Sequence, residues 1–296
     1  MKRFFSNLRP DRDFEAARTA LNEGRLDDAE AGFRAEIEAG RATPTTWFNL
    51  ALVYKFRRDW AGARDANLRC LELRPGQHEA TWNLGVAATA LRDWSTARDA
   101  WRGLKIDVGD GEGAPLTDLG PAPVRLNAAS DGDGEVVWGT RVDPCRVRLD
   151  SVPLPDSGHR WHDIVLHDVV PRGERMFHGQ ALSVFDELER MDPSSAPTHV
   201  CEIAWSDGSD EAALHTEITA RDLGGEDWSR SVQLICSSCS LANASAHAHD
   251  GVEAKQIAVH QFAFAGDTQQ ITEALRAWAS NGDGKRVVLT EPEVVG

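Results

Sequence analysis

Apolar positions in the first hundred residues recur with a period of 34 residues. Trp60 and Trp94 follow Leu26 at this spacing, and the alanines at 29, 63 and 97 keep the same interval. Within each period, an apolar stretch at helical spacing leads through a polar turn into a second helical stretch. The pattern therefore predicts three helix pairs over residues 1–108, in which the alanines allow two helices to approach closely.

The second and third copies carry a more specific pattern. Residues 46–54 read Thr-Trp-Phe-Asn-Leu-Ala-Leu-Val-Tyr and residues 80–85 read Ala-Thr-Trp-Asn-Leu-Gly, each followed by the Trp and Ala of the period. These segments closely resemble the tetratricopeptide repeat, and residues 11–43 resemble a weaker copy. The resemblance implies an N-terminal α-solenoid whose concave groove binds a protein or peptide partner.

By this resemblance, the first helix of each pair lines the groove. Three aromatic residues lie 34 positions apart there, which predicts a row of rings that could anchor a partner. The predicted groove residues are Phe14, Arg18, Phe48, Leu52, Lys55, Phe56, Trp82 and Val86. Family members that bind a terminal carboxylate have Lys and Asn where this chain has Phe and Leu, so we expect an apolar peptide. Alternatively, the C-terminal half of the chain covers the rings as intramolecular core.

The rest of the chain has a different pattern. Residues 109–123 are rich in glycine, proline and acid, which predicts a linker. Short alternating apolar runs then predict a β-rich module over 124–192, barrel-like or meandering, with a short helix at Phe185–Met191. Residues 198–296 give the order βαββαβ, with the second strand at Ser231–Cys236, and this order is typical of a ferredoxin-like domain. The predicted fold class is thus multi-domain: an α-solenoid, a β-rich module and an α+β domain.

A further resemblance covers part of the β-rich module. The segment 137–188 is similar to a region of uncharacterised bacterial tetratricopeptide-repeat proteins. It contains the run Ser-Gly-His-Arg-Trp-His-Asp-Ile-Val-Leu-His-Asp at 157–168. The similarity implies a shared architecture and no particular reaction.

Charge and composition exclude several classes of function. The formal net charge is −15 and the chain has no basic run, which argues against general nucleic-acid binding. No apolar run is long enough for a membrane helix. Five cysteines and a very short apolar patch after the basic N-terminus predict a reducing, cytoplasmic location. Residues 1–108 carry 18 Lys and Arg against 16 Asp and Glu, whereas residues 109–296 carry 14 against 31.

The sharpest chemical motif lies near the C-terminus. Cys236 and Cys239 form a Cys-x-x-Cys pair, and His247 and His249 follow as a His-x-His pair. Two thiolates and two imidazoles are the ligand set that tetrahedral zinc prefers, so the segment 236–250 predicts a structural Zn²⁺ site. A redox dithiol, or two buried cysteines beside a solvated histidine loop, remain alternatives.

Other motifs give no positive support for an enzyme. The sequence contains no phosphate-binding glycine loop, serine elbow or His-Glu-x-x-His motif. His159, His162 and His167 form a second cluster, for which surface or turn positions are expected. We therefore expect a non-catalytic scaffold that binds a protein or peptide, and the alternative is a metal- or thiol-dependent enzyme that uses the loop 236–250.

Overall fold

The structure is a computed structural model, and it describes residues 10–128, 134–205, 208–231, 259–280 and 286–295. It divides into two compact units, Met1–Thr117 and Asp118–Gly296. The first unit is helical and the second is rich in strands, which agrees with the general class expected from the sequence. In the described ranges, no helix is long and apolar enough to cross a membrane.

The described part of the first unit contains six helices, which pack as three consecutive pairs. They are α1 (Pro10–Asn22), α2 (Leu26–Glu38), α3 (Pro44–Phe56), α4 (Trp60–Leu73), α5 (His78–Ala90) and α6 (Trp94–Gly103). A capping box at Thr43 and Thr46 starts α3, because each residue's side chain bonds the other's backbone N–H. Asp59 caps α4 by accepting a hydrogen bond from the backbone N–H of Gly62.

The turn inside each helix pair has the same backbone conformation in all three copies. Gly24, Arg58 and Arg92 lie 34 residues apart, and all three have positive φ angles, 73°, 59° and 58°. In the second copy, the N–H of Asp59 donates to the carbonyl of Tyr54 at 2.9 Å, and the other two turns have the equivalent bond. This is the usual way in which a left-handed residue ends a helix. The sequence period is therefore also a period of local structure.

Small residues and large rings alternate in the core of the helix pairs. Ala29, Ala63 and Ala97 are all buried, and the ring of Trp101 is fully buried between α5 and α6. A Cβ atom added to Gly85 would lie only 2.5 Å from the Trp101 ring. Glycine at this position of α5 is thus required by the close approach of the indole.

A five-stranded closed barrel begins the second unit. Its strands are β1 (Pro121–Arg125), β2 (Val136–Asp143), β3 (Arg146–Leu149), β4 (Ile164–Phe177) and β5 (Gln180–Asp192). Neighbours in sequence pair antiparallel, so an odd number of strands leaves β1 and β5 running in the same direction, with Val124 opposite Phe185. The helix predicted at Phe185–Met191 is wrong, because these residues pair with β4 as part of β5.

A four-stranded antiparallel sheet follows the barrel, with strand order β7-β8-β6-β9. Its elements are β6 (Thr198–Ala204), α7 (Gly208–Thr219), β7 (Gly224–Asp227), α8 (Trp228–Ser231), β8 (His260–Ala265), α9 (Thr268–Ser280) and β9 (Arg286–Val295). Helices α7 and α9 pack on its core, which includes Ile203, Leu214, Phe262 and Trp278. The second strand was predicted at Ser231–Cys236, but it is β7; Ser231 ends α8, and residues 232–236 lie outside the described residues.

The barrel and the sheet share a small apolar cluster. Val152 and Trp161, from the barrel side, pack with Trp228 and with two alanines of β8. The indole N–H of Trp228 donates to the carbonyl of Val152 at 2.9 Å. The segment 151–154 is therefore the seam between the two parts of this unit.

Candidate functional site

The three rings of the predicted groove occupy equivalent positions on α1, α3 and α5, and all three are half-buried. Phe14 contacts Phe33 of its own helix pair, with 5.8 Å between ring centroids. Trp82 contacts Trp101 of its own pair edge-on at 5.4 Å. These two rings therefore brace their helix pairs with part of their surface and leave the remainder open to other contacts.

The other predicted groove residues differ in exposure. Lys55 and Val86 are buried, and the Lys55 ammonium donates to the side-chain oxygen of Asn83 at 3.3 Å. Leu52 is half-buried, whereas Arg18 is exposed and pairs with Glu15. Phe56 is 52% exposed at the end of α3. Of the eight predicted residues, Phe56 thus presents the most apolar surface to a partner.

The predicted zinc ion is contradicted. Within the described parts of the chain, no group of three or more His, Cys, Asp or Glu side chains is arranged to hold a metal ion. Ligand spacing supplies residue types, but a metal site also requires that the donor atoms converge. Cys236, Cys239, His247 and His249 themselves lie outside the described residues. We therefore do not retain the zinc prediction.

Two histidines for which surface or turn positions were expected, His159 and His167, are buried in the second unit. His159 contacts the Ser157 carbonyl through Nδ1 at 2.9 Å and the Glu187 carboxylate through Nε2 at 2.7 Å. Burial alone would lower the pKa of His159, but the hydrogen bond to Glu187 and its negative charge outweigh burial and raise the pKa. His167 is fully enclosed, and burial lowers its pKa to about 4. The predicted histidine cluster is thus split between two different environments.

Two half-buried carboxyl groups lie at the seam between the barrel and the sheet, and no sequence motif indicated them. Glu135 accepts a hydrogen bond from the backbone N–H of Leu154 at 3.1 Å. Glu226 of β7 interacts with the Ser151 side chain and the Val152 backbone. Burial raises the pKa of Glu135 to about 7, and the nearby charge of Glu226 adds to this increase. Burial also raises the pKa of Glu226.

A histidine and an aspartate link the edge strand β7 to its neighbour β8. Nδ1 of His260 lies 2.7 Å from the Asp227 carboxylate, and the imidazole stacks on the Trp205 ring with centroids 3.7 Å apart. The other Asp227 oxygen accepts a hydrogen bond from the backbone N–H of Ser229. This arrangement fixes the imidazole and joins the strands. A carboxylate can orient a histidine that acts as a base in this way. No sequence motif indicated the pairing of Asp227 with His260.

The described cysteines give no support for thiol chemistry. Cys70, Cys145 and Cys201 are all buried, and no disulfide bond joins any two of them. Burial raises the pKa of Cys201 to about 12 and also raises the pKa of Cys70. A protonated thiol is a poor nucleophile, so the raised pKa disfavours nucleophilic attack by these two cysteines.

No protein-family model matches the chain, and no curated protein sequence matches it.

Proposed function

We propose that the protein is a binding scaffold whose N-terminal unit is a tetratricopeptide-repeat array. Three helix pairs with a 34-residue period support this assignment, as do the repeated left-handed turns at Gly24, Arg58 and Arg92. Buried alanines at equivalent positions of the second helices also support it. In the C-terminal sheet, the order β7-β8-β6-β9 with α7 and α9 supports a ferredoxin-like assignment. A fold of this kind hosts many functions, so the functional proposal rests on the helical unit.

The exposed ring of Phe56 is the observation that carries the binding proposal. It extends the helix face that also bears the half-buried side chains of Phe48 and Leu52. Aromatic side chains that are partly open are typical anchors of protein interfaces. The helical segment is nearly neutral, with 18 basic and 16 acidic residues in 1–108. The chemistry of this face therefore favours a peptide that contributes apolar side chains rather than a strongly charged one.

The test compares two equally exposed apolar residues. Phe56 on α3 is 52% exposed and Leu73 on α4 is 51% exposed, so serine at either position removes a similar apolar surface. A partner is first identified by cross-linking and mass spectrometry with the full chain, and its affinity is then measured for Phe56→Ser and Leu73→Ser. We expect Phe56→Ser to weaken binding about tenfold or more, since one buried aromatic ring contributes that much.

The control variant makes the result interpretable. Leu73→Ser should bind like the unchanged protein, because Leu73 belongs to the second helix of its pair. Circular dichroism establishes that both variants are folded. Equal affinity of the two variants would refute binding through the face that carries Phe56.

A further inference from the structure

One end of the barrel lumen is polar, although the rest is apolar. The apolar part is formed by Ala122, Val124, Leu126, Val137, Val147, Leu149 and Val165. Side chains alternate along a strand, so Arg141 lies on the same inward face of β2 as Val137. Phe185 of β5 is paired with Val124 of β1, so its side chain also points inward. His167 contacts the Phe185 ring, with centroids 4.9 Å apart. Arg141, His167 and Phe185 therefore meet inside the barrel.

The Arg141 guanidinium lies in this polar end without a carboxylate partner in the described residues. Its central carbon is 5.1 Å from the centroid of the Phe185 ring, and its Nε is buried without a hydrogen-bond acceptor. The buried carboxylate of Asp143, whose charge acts on Arg141, is already bound to the Arg146 side chain at 2.6 Å. Burial lowers the pKa of Arg141, which is the effect of desolvating a cation. A charge in such a place is costly unless something compensates it.

His167 adds a second unsatisfied polar atom at the same place. Its Nδ1 lies 2.6 Å from the Asp168 carbonyl oxygen, which can only accept, so Nδ1 carries the proton. Nε2 of the neutral ring is then an acceptor, and it is buried without a partner. Buried polar atoms are nearly always satisfied, by protein, water or a bound group. Arg141 and His167 thus leave a donor and an acceptor unused around one aromatic ring.

We propose that Arg141 and His167 bind a small oxyanion at this end of the barrel lumen, such as phosphate or a carboxylate group. A guanidinium matches the geometry of two oxygen atoms and supplies the positive charge. A bound anion would also favour protonation of His167, which would turn Nε2 into a second donor. The lumen of a five-stranded barrel is filled by side chains, so the site suits one small group rather than a large ligand.

Nuclear magnetic resonance of ¹⁵N-histidine-labelled full-length protein tests the proposal. Phosphate and acetate are titrated separately at constant ionic strength, and the His167 ring signal is assigned by its loss in His167→Gln. We expect a saturable change of the His167 Nε2 signal with at least one of the two anions. A stronger response to phosphate would identify a phosphate site, and a stronger response to acetate would identify a carboxylate site.

Two arginine variants distinguish anion binding at Arg141 from the general effect of removing one positive charge. Arg141→Gln should weaken anion binding about tenfold or more, since a charged hydrogen-bond donor is lost. Arg148→Gln is the matched control, because Arg148 lies on neighbouring β3 and pairs with Asp150 outside the lumen. If neither anion gives a saturable His167 change, or if folded Arg141→Gln binds as well as the unchanged protein, the proposal is wrong. The titration of the unchanged protein decides the matter even if Arg141→Gln does not fold.

Discussion

Replacement of Glu135 by glutamine should make the second unit less sensitive to pH. Glu135 lies at the seam between barrel and sheet, where its carboxyl group accepts a hydrogen bond from the Leu154 backbone. Burial is the main cause that raises its pKa from 4.5 to about 7, and the charge of Glu226 acts in the same direction. His159 opposes the increase through its positive charge. Glutamine keeps an oxygen that can accept from Leu154 but cannot ionise.

The sign and size of the effect follow from the two pKa values. Below pH 4.5 the folded and unfolded chains both hold the Glu135 proton, so the raised pKa has no effect on stability. Between pH 4.5 and about 7 the folded chain keeps a proton that the unfolded chain has released, and the free energy of unfolding falls as pH rises. Across this pH interval, the free energy of unfolding falls by about 3 kcal/mol. The glutamine variant should avoid that loss.

Urea unfolding followed by tryptophan fluorescence, at several pH values across this interval and above it, measures the effect. The stability of Glu135→Gln relative to the unchanged protein should increase by about 3 kcal/mol from the acidic to the alkaline end. Any effect of the substitution on stability that does not depend on pH cancels when the two ends of the pH range are compared. Glu174→Gln, on the exposed part of β4, should follow the unchanged protein throughout. A stability difference for Glu135→Gln that does not vary with pH would refute the reasoning.

Two further predictions concern packing and charge. Gly85→Ala should lower the free energy of unfolding by about 1–3 kcal/mol because the added methyl group would meet the Trp101 ring. Gly103→Ala should not, because an added Cβ would lie 3.6 Å from its nearest neighbour. Thermal unfolding of both variants shows whether this difference exists. Asp143→Asn should cost about 3 kcal/mol because the buried Arg146 loses its close carboxylate partner at 2.6 Å, while the half-exposed Asp192 lies farther away at 3.9 Å. Asp150→Asn, in a half-exposed pair, should cost about 1 kcal/mol or less, and equal losses in urea unfolding would contradict the role of burial.

The helical unit was largely predictable because its sequence repeats. The 34-residue period places Leu26, Trp60 and Trp94 at the first residues of α2, α4 and α6. The period cannot show which groove positions are exposed. Lys55 and Phe56 are adjacent in sequence, yet one is buried and the other is 52% exposed. Exposure depends on packing between helix pairs, which the repeat pattern does not specify.

Strand positions were harder to predict where tertiary contacts override local pattern. Phe185, Leu188 and Met191 have helical spacing, but bulges in the β4–β5 pairing break the alternation that would mark a strand. Strand β7 contains Gly224 and Gly225, which usually indicate a turn. A side chain on Gly225 would lie 2.6 Å from Ile218, so close packing explains why glycine occurs there.

The interacting ionisable groups of the second unit could not be found from sequence because their partners are distant in the chain. His159 and Glu187 are 28 residues apart, and Glu135 and Leu154 are 19 apart. Each pair depends on how the barrel closes. A local motif search therefore favours clusters such as His159, His162 and His167, which the structure does not bring together as one site.

The closure of the barrel also has a mechanical consequence. Its five strands alternate in direction, so the chain enters at the start of β1 and leaves from the end of β5 at opposite ends of the barrel. An even number of strands would bring both ends to the same side. Tension between residues 121 and 192 would therefore pull β1 and β5 along their lengths in opposite directions. The hydrogen bonds between them, with the Arg125–Asp186 ion pair, would be loaded together in shear rather than opened one at a time.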